Sequence, residues 1–341
     1  MNPVDFVRSQ FKKLPYPVED CAGRTVIVTG SNVGLGLEAA RHFVRLHAAK
    51  VILAVRSTEK GEAAKTNIEL TTGRRGVVEV WPLDQSSFES VKEFAARADQ
   101  LPRLDCVLLN ASIAINSRVD AEGWESAITV NVLSTFLLGL KLLPVLRRTG
   151  KMHNVTPKIV IVASEACQLA KFRERNADDI YKALNANKNL MDRYNTTKLM
   201  QVILGRQMAI AVDASDKGRV QVTTLNPGLC STALFRYMPF PLSIIVSIGL
   251  KLLARSAEVG SRCLVAAAFA GEEAHGRYMS DCVVTEFPKI MQGEEGEQMQ
   301  ERLWEETMEV LNGIDPGVSM NLLVNQAGVS VRARVSYYLS T

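Results

Sequence analysis

In the run MDRYNTTKLM, Tyr194 and Lys198 stand four residues apart, a spacing that brings two side chains out on one face of a helix. Such a pair can move a proton. A phenol titrates near pH 10 and is a poor base at neutral pH, but a neighbouring ammonium favours the phenolate and draws its pKa toward the working range. Tyr194 can then protonate a carbonyl oxygen or take the proton of an alcohol. A Y-x-x-x-K match alone is usually just a helix surface, so its weight comes from two further residues. Ser164 ends the apolar run KIVIVASEA, and Asn131 sits inside ITVNVLSTFLL. Open α/β sheets hold their ligands at the carboxyl ends of strands, which places Ser164 to hydrogen-bond a substrate oxygen beside Tyr194. Asn is unfavourable within a helix and costly when buried unpaired, so Asn131 reads either as a functional group or as a satisfied core amide.

A second constellation would bind a cofactor. The stretch TGSNVGLGLEA carries Gly30, Ser31, Asn32, Gly34, Leu35 and Gly36 between an expected strand and an expected helix. Glycines there let the backbone approach a pyrophosphate, and the helix N-terminus offers free N–H groups and partial positive charge. A tight strand-to-helix turn without ligand would use the same glycines, but this position favours a dinucleotide. About 20 residues further on, an acidic residue would bond the ribose 2′-OH of NAD, whereas an arginine suits the 2′-phosphate of NADP. The chain has Arg56 at that place, so NADP(H) is the expected cofactor; the alternative is a solvated charge at a strand end. Asp84 either accepts from the adenine amino group or caps the next helix.

The elements needed to position these residues follow from the pattern. Short, nearly continuous apolar runs at 25–29, 51–55, 77–83, 106–109, 158–163 and 220–225 alternate with helical periodicity from about 35, at 58–70, 87–98, 123–146 and 192–212. That alternation predicts an α/β fold with a doubly wound, mostly parallel Rossmann-type sheet, buried on both faces. The long helix is expected to bend near Pro144. A polar leader covers residues 1–22, a single dinucleotide-binding domain 23–312, and a tail of weak periodicity 313–341. Within the domain, 229–254 is apolar but broken by Pro239 and Pro241, which suggests a lid over a greasy pocket, with an interface, ordinary core or surface-lying membrane contact as alternatives.

With 47% hydrophobic and 22% charged residues, the 341-residue chain has the balance of a globular protein. Its net charge of +4 is small and scattered, which argues against nucleic acid as a partner. The six cysteines form no C-x-x-C pair and read as reduced core thiols. The N-terminus shows neither signal peptide nor membrane anchor, so a cytoplasmic protein is expected. His42, His47, His153 and His275 make no cluster with the cysteines, so no metal site and no zinc dehydrogenase are expected. No G-x-S-x-G elbow supports a serine hydrolase.

Taken in order, TG-x-x-x-G-x-G, N-A-S, Asn131, Ser164, Tyr194-x-x-x-Lys198 and NPG resemble the short-chain dehydrogenase/reductase family, over about residues 20–312. Within it, GRTVIVTGSNVGLGLEAARHFVRL and LNPGLCSTALF look most like retinol-dehydrogenase-like members from filamentous fungi, many of which serve secondary metabolism. The resemblance implies that Tyr194 is the general acid/base and that Lys198 lowers its pKa and bonds the nicotinamide ribose. It further implies that Ser164 orients the substrate oxygen and that Asn131 holds a water in a proton relay to Lys198. Asn110 would lie beside the adenosine half, and Pro227, Gly228 and Thr232 would meet the nicotinamide. Two departures stand out: Ser112 replaces the usual glycine of N-A-G, and an unusually long run separates Ser164 from Tyr194.

The resulting expectation is an NADPH-dependent ketone or aldehyde reductase, or the reverse alcohol dehydrogenase, acting on an apolar small molecule and possibly homo-oligomeric. A dinucleotide-binding regulatory or scaffold protein is the rival, though binding alone does not need the proton-transfer residues.

Overall fold

The computed structural model describes residues 3–115, 117–231 and 253–322. In chain order the main elements are α1 (Pro3–Gln10), β1 (Thr25–Thr29), α2 (Gly34–Arg45), β2 (Lys50–Val55), α3 (Thr58–Thr72), β3 (Val78–Pro82), α4 (Phe88–Asp99) and β4 (Cys106–Leu109). They continue with α5 (Ser134–His153), β5 (Lys158–Val162), α6 (Ile180–Ala186), α7 (Arg193–Asp213), β6 (Gln221–Asn226), α8 (Ala257–Phe269), β7 (Tyr278–Ser280), β8 (Val283–Thr285) and α9 (Gly293–Ile314).

The strands form one sheet in the order β3-β2-β1-β4-β5-β6-β7-β8, parallel throughout except for β8, which runs antiparallel to β7. The fold is thus the doubly wound single domain expected, with each strand read from the sequence found to within one residue of its ends. Side chains of a strand alternate between faces, and the two cores show this directly. Ile27, Val107, Leu109, Ile159 and Ile161 join α4, α5, α7 and α9 on one side, while Val26, Val28, Leu108, Val160 and Val162 join α2, α3 and α8 on the other. Each fully buried aliphatic side chain contributes about 1.5–3 kcal/mol against exposure.

Helix starts follow local chemistry. Ser57, Ser87 and Ser256 cap α3, α4 and α8 by accepting a backbone N–H of the first turn. Helix α5 continues to His153, well past the expected 146, and runs through Pro144. Proline withholds an N–H from the carbonyl four residues back, and that carbonyl, of Leu140, accepts instead from the Asn321 side chain at 3.1 Å. The stretch Ser126–His153 is long and apolar enough to cross a membrane, yet 89% of its most apolar part is buried within the fold.

Three expectations are corrected. The leader is no loose polar segment: α1 docks on the domain, Leu14 and Cys21 are buried, and Arg262 and Arg45 donate to the carbonyls of Leu14 and Pro17. The charged run before Tyr194 contains α6, capped by Asp179 and anchored through Ile180 N–H to Glu306. Residues 257–314, given no elements by the sequence reading, supply α8, β7, β8 and α9. Of the expected lid at 229–254, residues 232–252 lie outside the described residues, and so does the tail beyond 322.

Candidate active site

Because the strands run parallel, every loop that leaves a strand's carboxyl end lies along one edge of the sheet. Gly30 follows β1, Arg56 follows β2, Asp84 lies just past β3, Asn110 follows β4, Ser164 lies two residues past β5 and Pro227 follows β6. The strand order turns around between β1 and β4, the crevice where such sheets bind nucleotides.

The glycine loop fits a dinucleotide phosphate. Gly30 and Gly34 hold φ of 65° and 61°, a left-handed conformation costly for a residue with a Cβ. Unlike its serine-capped neighbours, α2 opens at Val33 with no side chain on its first-turn N–H groups, leaving them to a ligand. A Cβ on Gly36 would stand 2.6 Å from the Asn110 amide and 2.7 Å from the Gly30 carbonyl, so only glycine lets the helix sit this close to the strand end. Asn110 holds that packing: its amide donates to the Thr29 carbonyl at 2.8 Å, while its own N–H and that of Ala111 both meet the Thr29 hydroxyl at 2.9 Å.

Other predicted cofactor residues divide by environment. Arg56 is exposed beyond β2 with no partner among the described residues, free to meet an anion. Ser31 is fully buried and donates its hydroxyl to the Val28 carbonyl, which leaves only its backbone to face a ligand. Asn32 and Leu35 are half-buried on the loop. Asp84 neither caps α4, which Ser87 does, nor stands idle: its carboxylate accepts from the Ser86 N–H and hydroxyl. Pro227 is buried and Gly228 has φ of 83°. Thr232 lies outside the described residues.

Tyr194 and Lys198 occupy the first turns of α7 and face β5. The Tyr194 hydroxyl is enclosed and hydrogen-bonds with Ser164, although part of the residue reaches the surface. Lys198 is buried; its amine donates to the Val162 carbonyl at 2.8 Å and the Gln201 side-chain oxygen at 2.9 Å, and lies 5.7 Å from the Tyr194 ring centre. Asn131 falls in a π-helical turn, Thr129–Leu133, the kind of irregularity that gathers at functional sites. Its side-chain oxygen accepts from Ile113 N–H at 2.8 Å and the Ser112 hydroxyl at 2.9 Å, and its NH2 donates to the Ile113 carbonyl and the Thr197 hydroxyl. The side chain is therefore a satisfied core amide. The unexpected Ser112 is one of its partners.

Burial acts on both members of the proton pair. It pushes the Tyr194 phenol up to about 12, with the Ser164 hydrogen bond pulling the other way, and pushes the Lys198 amine down to about 7. The expected lowering of Tyr194 by Lys198 is thus outweighed: removing either group from water penalises its charged form. Lys198 also makes folding stability depend on pH. Its folded value lies below the free 10.5, so the unfolded chain binds the extra proton between pH 7 and 10.5, and stability rises across that window. In urea titrations at pH 7 and pH 10, wild type should gain on the order of 4 kcal/mol more than Lys198→Met. Equal pH slopes in the two proteins would contradict a buried, easily discharged amine.

Several supporting residues gave no recognisable signal. Asn226 ties the two strand ends together, accepting from Glu165 N–H and Gly228 N–H at 2.9 Å each and donating to the Glu165 carboxylate. Arg193 and Glu125 form a fully buried ion pair at 3.2 Å, and Arg193 donates to the Leu184 carbonyl, so the long insertion is fastened to the residue next to Tyr194. Behind Pro227–Gly228, Arg255 donates to the Pro227 and Ser9 carbonyls and Gln10 accepts from Leu229 N–H, bringing α1 against the loop. These contacts join residues more than 25 positions apart in most cases, which local pattern cannot show.

Comparison with known proteins agrees with this geometry. The family described as "short chain dehydrogenase" matches residues 24–175. The short chain dehydrogenase FGM9 of Gibberella zeae is 41% identical over 92% of this chain and 93% of its own length. The short chain dehydrogenase/reductase dmxR8 of a Cryptosporiopsis species is 44% identical over 93% of this chain and 99% of its own. Among solved structures, RhlG of Pseudomonas aeruginosa, an NADP active-site complex, superposes with a TM-score of 0.59 at 21% identity, covering 78% of this chain and 97% of that one. Identity above two-fifths along nine-tenths of the sequence settles the lineage: the chain belongs to the short-chain dehydrogenase/reductase family of oxidoreductases.

Proposed function

We propose that this oxidoreductase reduces the carbonyl group of an apolar small molecule with NADPH, the reverse alcohol oxidation using the same residues. The carrying observation is the convergence of Tyr194, Ser164 and Lys198 on the sheet edge that also presents the uncapped start of α2. Gly30, Gly34, Gly36 and the first-turn N–H groups of α2 would hold the pyrophosphate, Arg56 the 2′-phosphate, and Pro227 and Gly228 the nicotinamide end. The bound nicotinamide supplies a hydride.

The protein's own residues handle the proton. Ser164 orients the substrate oxygen, and Tyr194, protonated throughout the neutral range because burial raises it, donates to that oxygen as negative charge develops. Lys198, about half charged near neutrality, stabilises the phenolate left behind. The apolar character of the substrate rests on the composition of 234–253, rich in Leu, Ile and Met. With the resemblance to fungal secondary-metabolism members, this makes a secondary-metabolite ketone or aldehyde the expected class.

The test is oxidation of NADPH and of NADH in parallel against a panel of apolar ketones and aldehydes. Turnover with NADPH preferred supports the reading; tight NADPH binding with no turnover across the panel favours a scaffold. Arg56→Ala should weaken NADPH by about tenfold, the worth of an exposed charge-assisted pair, while leaving NADH unchanged. An equal effect on both cofactors would place the 2′-phosphate elsewhere.

A further inference from the structure

Asn131 and Lys198 are joined through a residue that no motif of the site contains. Gln201, one turn beyond Lys198 on α7, is fully buried. Its side-chain oxygen accepts from the Lys198 amine at 2.9 Å, and its NH2 donates to the Asn131 backbone carbonyl at 2.7 Å. The neighbouring carbonyl, of Val130, is likewise held from outside its turn, accepting from the Thr135 hydroxyl at 3.0 Å and the Gln85 amide. The π-helical register makes these carbonyls available to partners beyond the helix.

We infer that Gln201 is a positioning residue, which aims the Lys198 amine by bridging it to the Asn131 carbonyl and makes that link with an amide in place of a proton-relaying water. The inference rests on the function proposed above. A charged lysine has three N–H groups. Val162 and Gln201 take two, so the third is left pointing along the side where Tyr194 lies. A water between the same partners could accept and release a proton in turn. A carboxamide accepts at oxygen and donates at nitrogen without giving up a proton near neutrality, so it fixes geometry and carries no current. Lys198 then exchanges its proton on the Tyr194 side. The titratable groups beside it among the described residues are Tyr194 on its own helix and Cys167 in the turn after β5, with Glu165 and Tyr278 acting on Cys167 in turn.

The experiment follows the Lys198 amine directly, by side-chain NMR of protein labelled with 15N-lysine, with Lys198→Met assigning the signal. Gln201→Leu removes an acceptor from the charged amine and should lower its titration midpoint and reduce kcat about tenfold at unchanged substrate KM. Gln201→Glu puts a carboxylate at the same place and should raise the midpoint by about one unit or more, moving the kcat–pH profile with it. Should the leucine variant fail to fold, the glutamate variant decides. A Lys198 midpoint indifferent to the Glu substitution overturns the inference. Wild type inactive on every carbonyl would instead remove the proposed function, with the NMR result still readable.

Discussion

Tyr194→Phe should fold and bind NADPH like wild type, with kcat lower by about a thousandfold. The substitution deletes one oxygen and keeps the ring, so shape and packing survive. The Thr197 hydroxyl bonds to the Tyr194 backbone carbonyl, a contact the change does not touch. The hydrogen bond lost is the one with Ser164, a loss of about 1 kcal/mol in stability. Catalysis loses far more, because a positioned general acid accounts for about 10²–10⁴ in rate. Steady-state assay with the best carbonyl from the panel, beside fluorescence titration with NADPH, separates the two effects. Wild-type turnover in the phenylalanine variant would strip Tyr194 of its role and leave Ser164 as the remaining candidate donor.

What made Tyr194 and the glycine loop legible was that each motif sits within one helical turn or one loop. Tyr194 and Lys198 are four apart, and Gly30, Gly34 and Gly36 share a turn, so sequence spacing is nearly spatial spacing. The strands were legible for a related reason: both faces of a parallel sheet are buried, and a continuous apolar run survives without alternation. Asn131 shows the limit. Its type and helical setting announced a special residue, but whether it served chemistry or packing depended on Ser112, Ile113 and Thr197, none of which spacing identifies as partners.

The pKa of the tyrosine shows a second limit. Sequence gives the neighbouring charge of Lys198, which argues for a lowered phenol; only the fold gives the burial, which raises it to about 12 and discharges the lysine at the same time. The leader failed for want of periodicity. Its eight-residue helix is held by single contacts from Arg255, and through Gln10 to Leu229, residues some 220 to 250 positions away. Ser112, a departure from the family's glycine, is explained once its hydroxyl is seen to bond Asn131.

Gly36→Val should cost at least a hundredfold in NADPH affinity and lower stability as well. The first carbon of the new side chain would stand 2.6 Å from the Asn110 amide nitrogen, 2.7 Å from the Gly30 carbonyl oxygen and 3.0 Å from the Ser31 Cα. Two of those atoms are backbone, and the third belongs to an amide already fixed on the Thr29 and Gly30 carbonyls. Nothing there can turn aside, so α2 must back away from the end of β1. Overpacking of this kind costs about 1–3 kcal/mol, and the β-branch adds to it. The displacement falls where the phosphate would bind, since the N–H groups of the first turn of α2 move with the helix while Arg56, beyond β2, stays in place. Gly36→Ala should show the same defect in smaller measure, which distinguishes a graded steric wedge from general misfolding. Calorimetric titration with NADPH alongside thermal melts provides both readouts. A valine variant that binds NADPH as tightly as wild type would mean that the cofactor does not rest on this helix start, and the assignment of the glycine loop would fall with it.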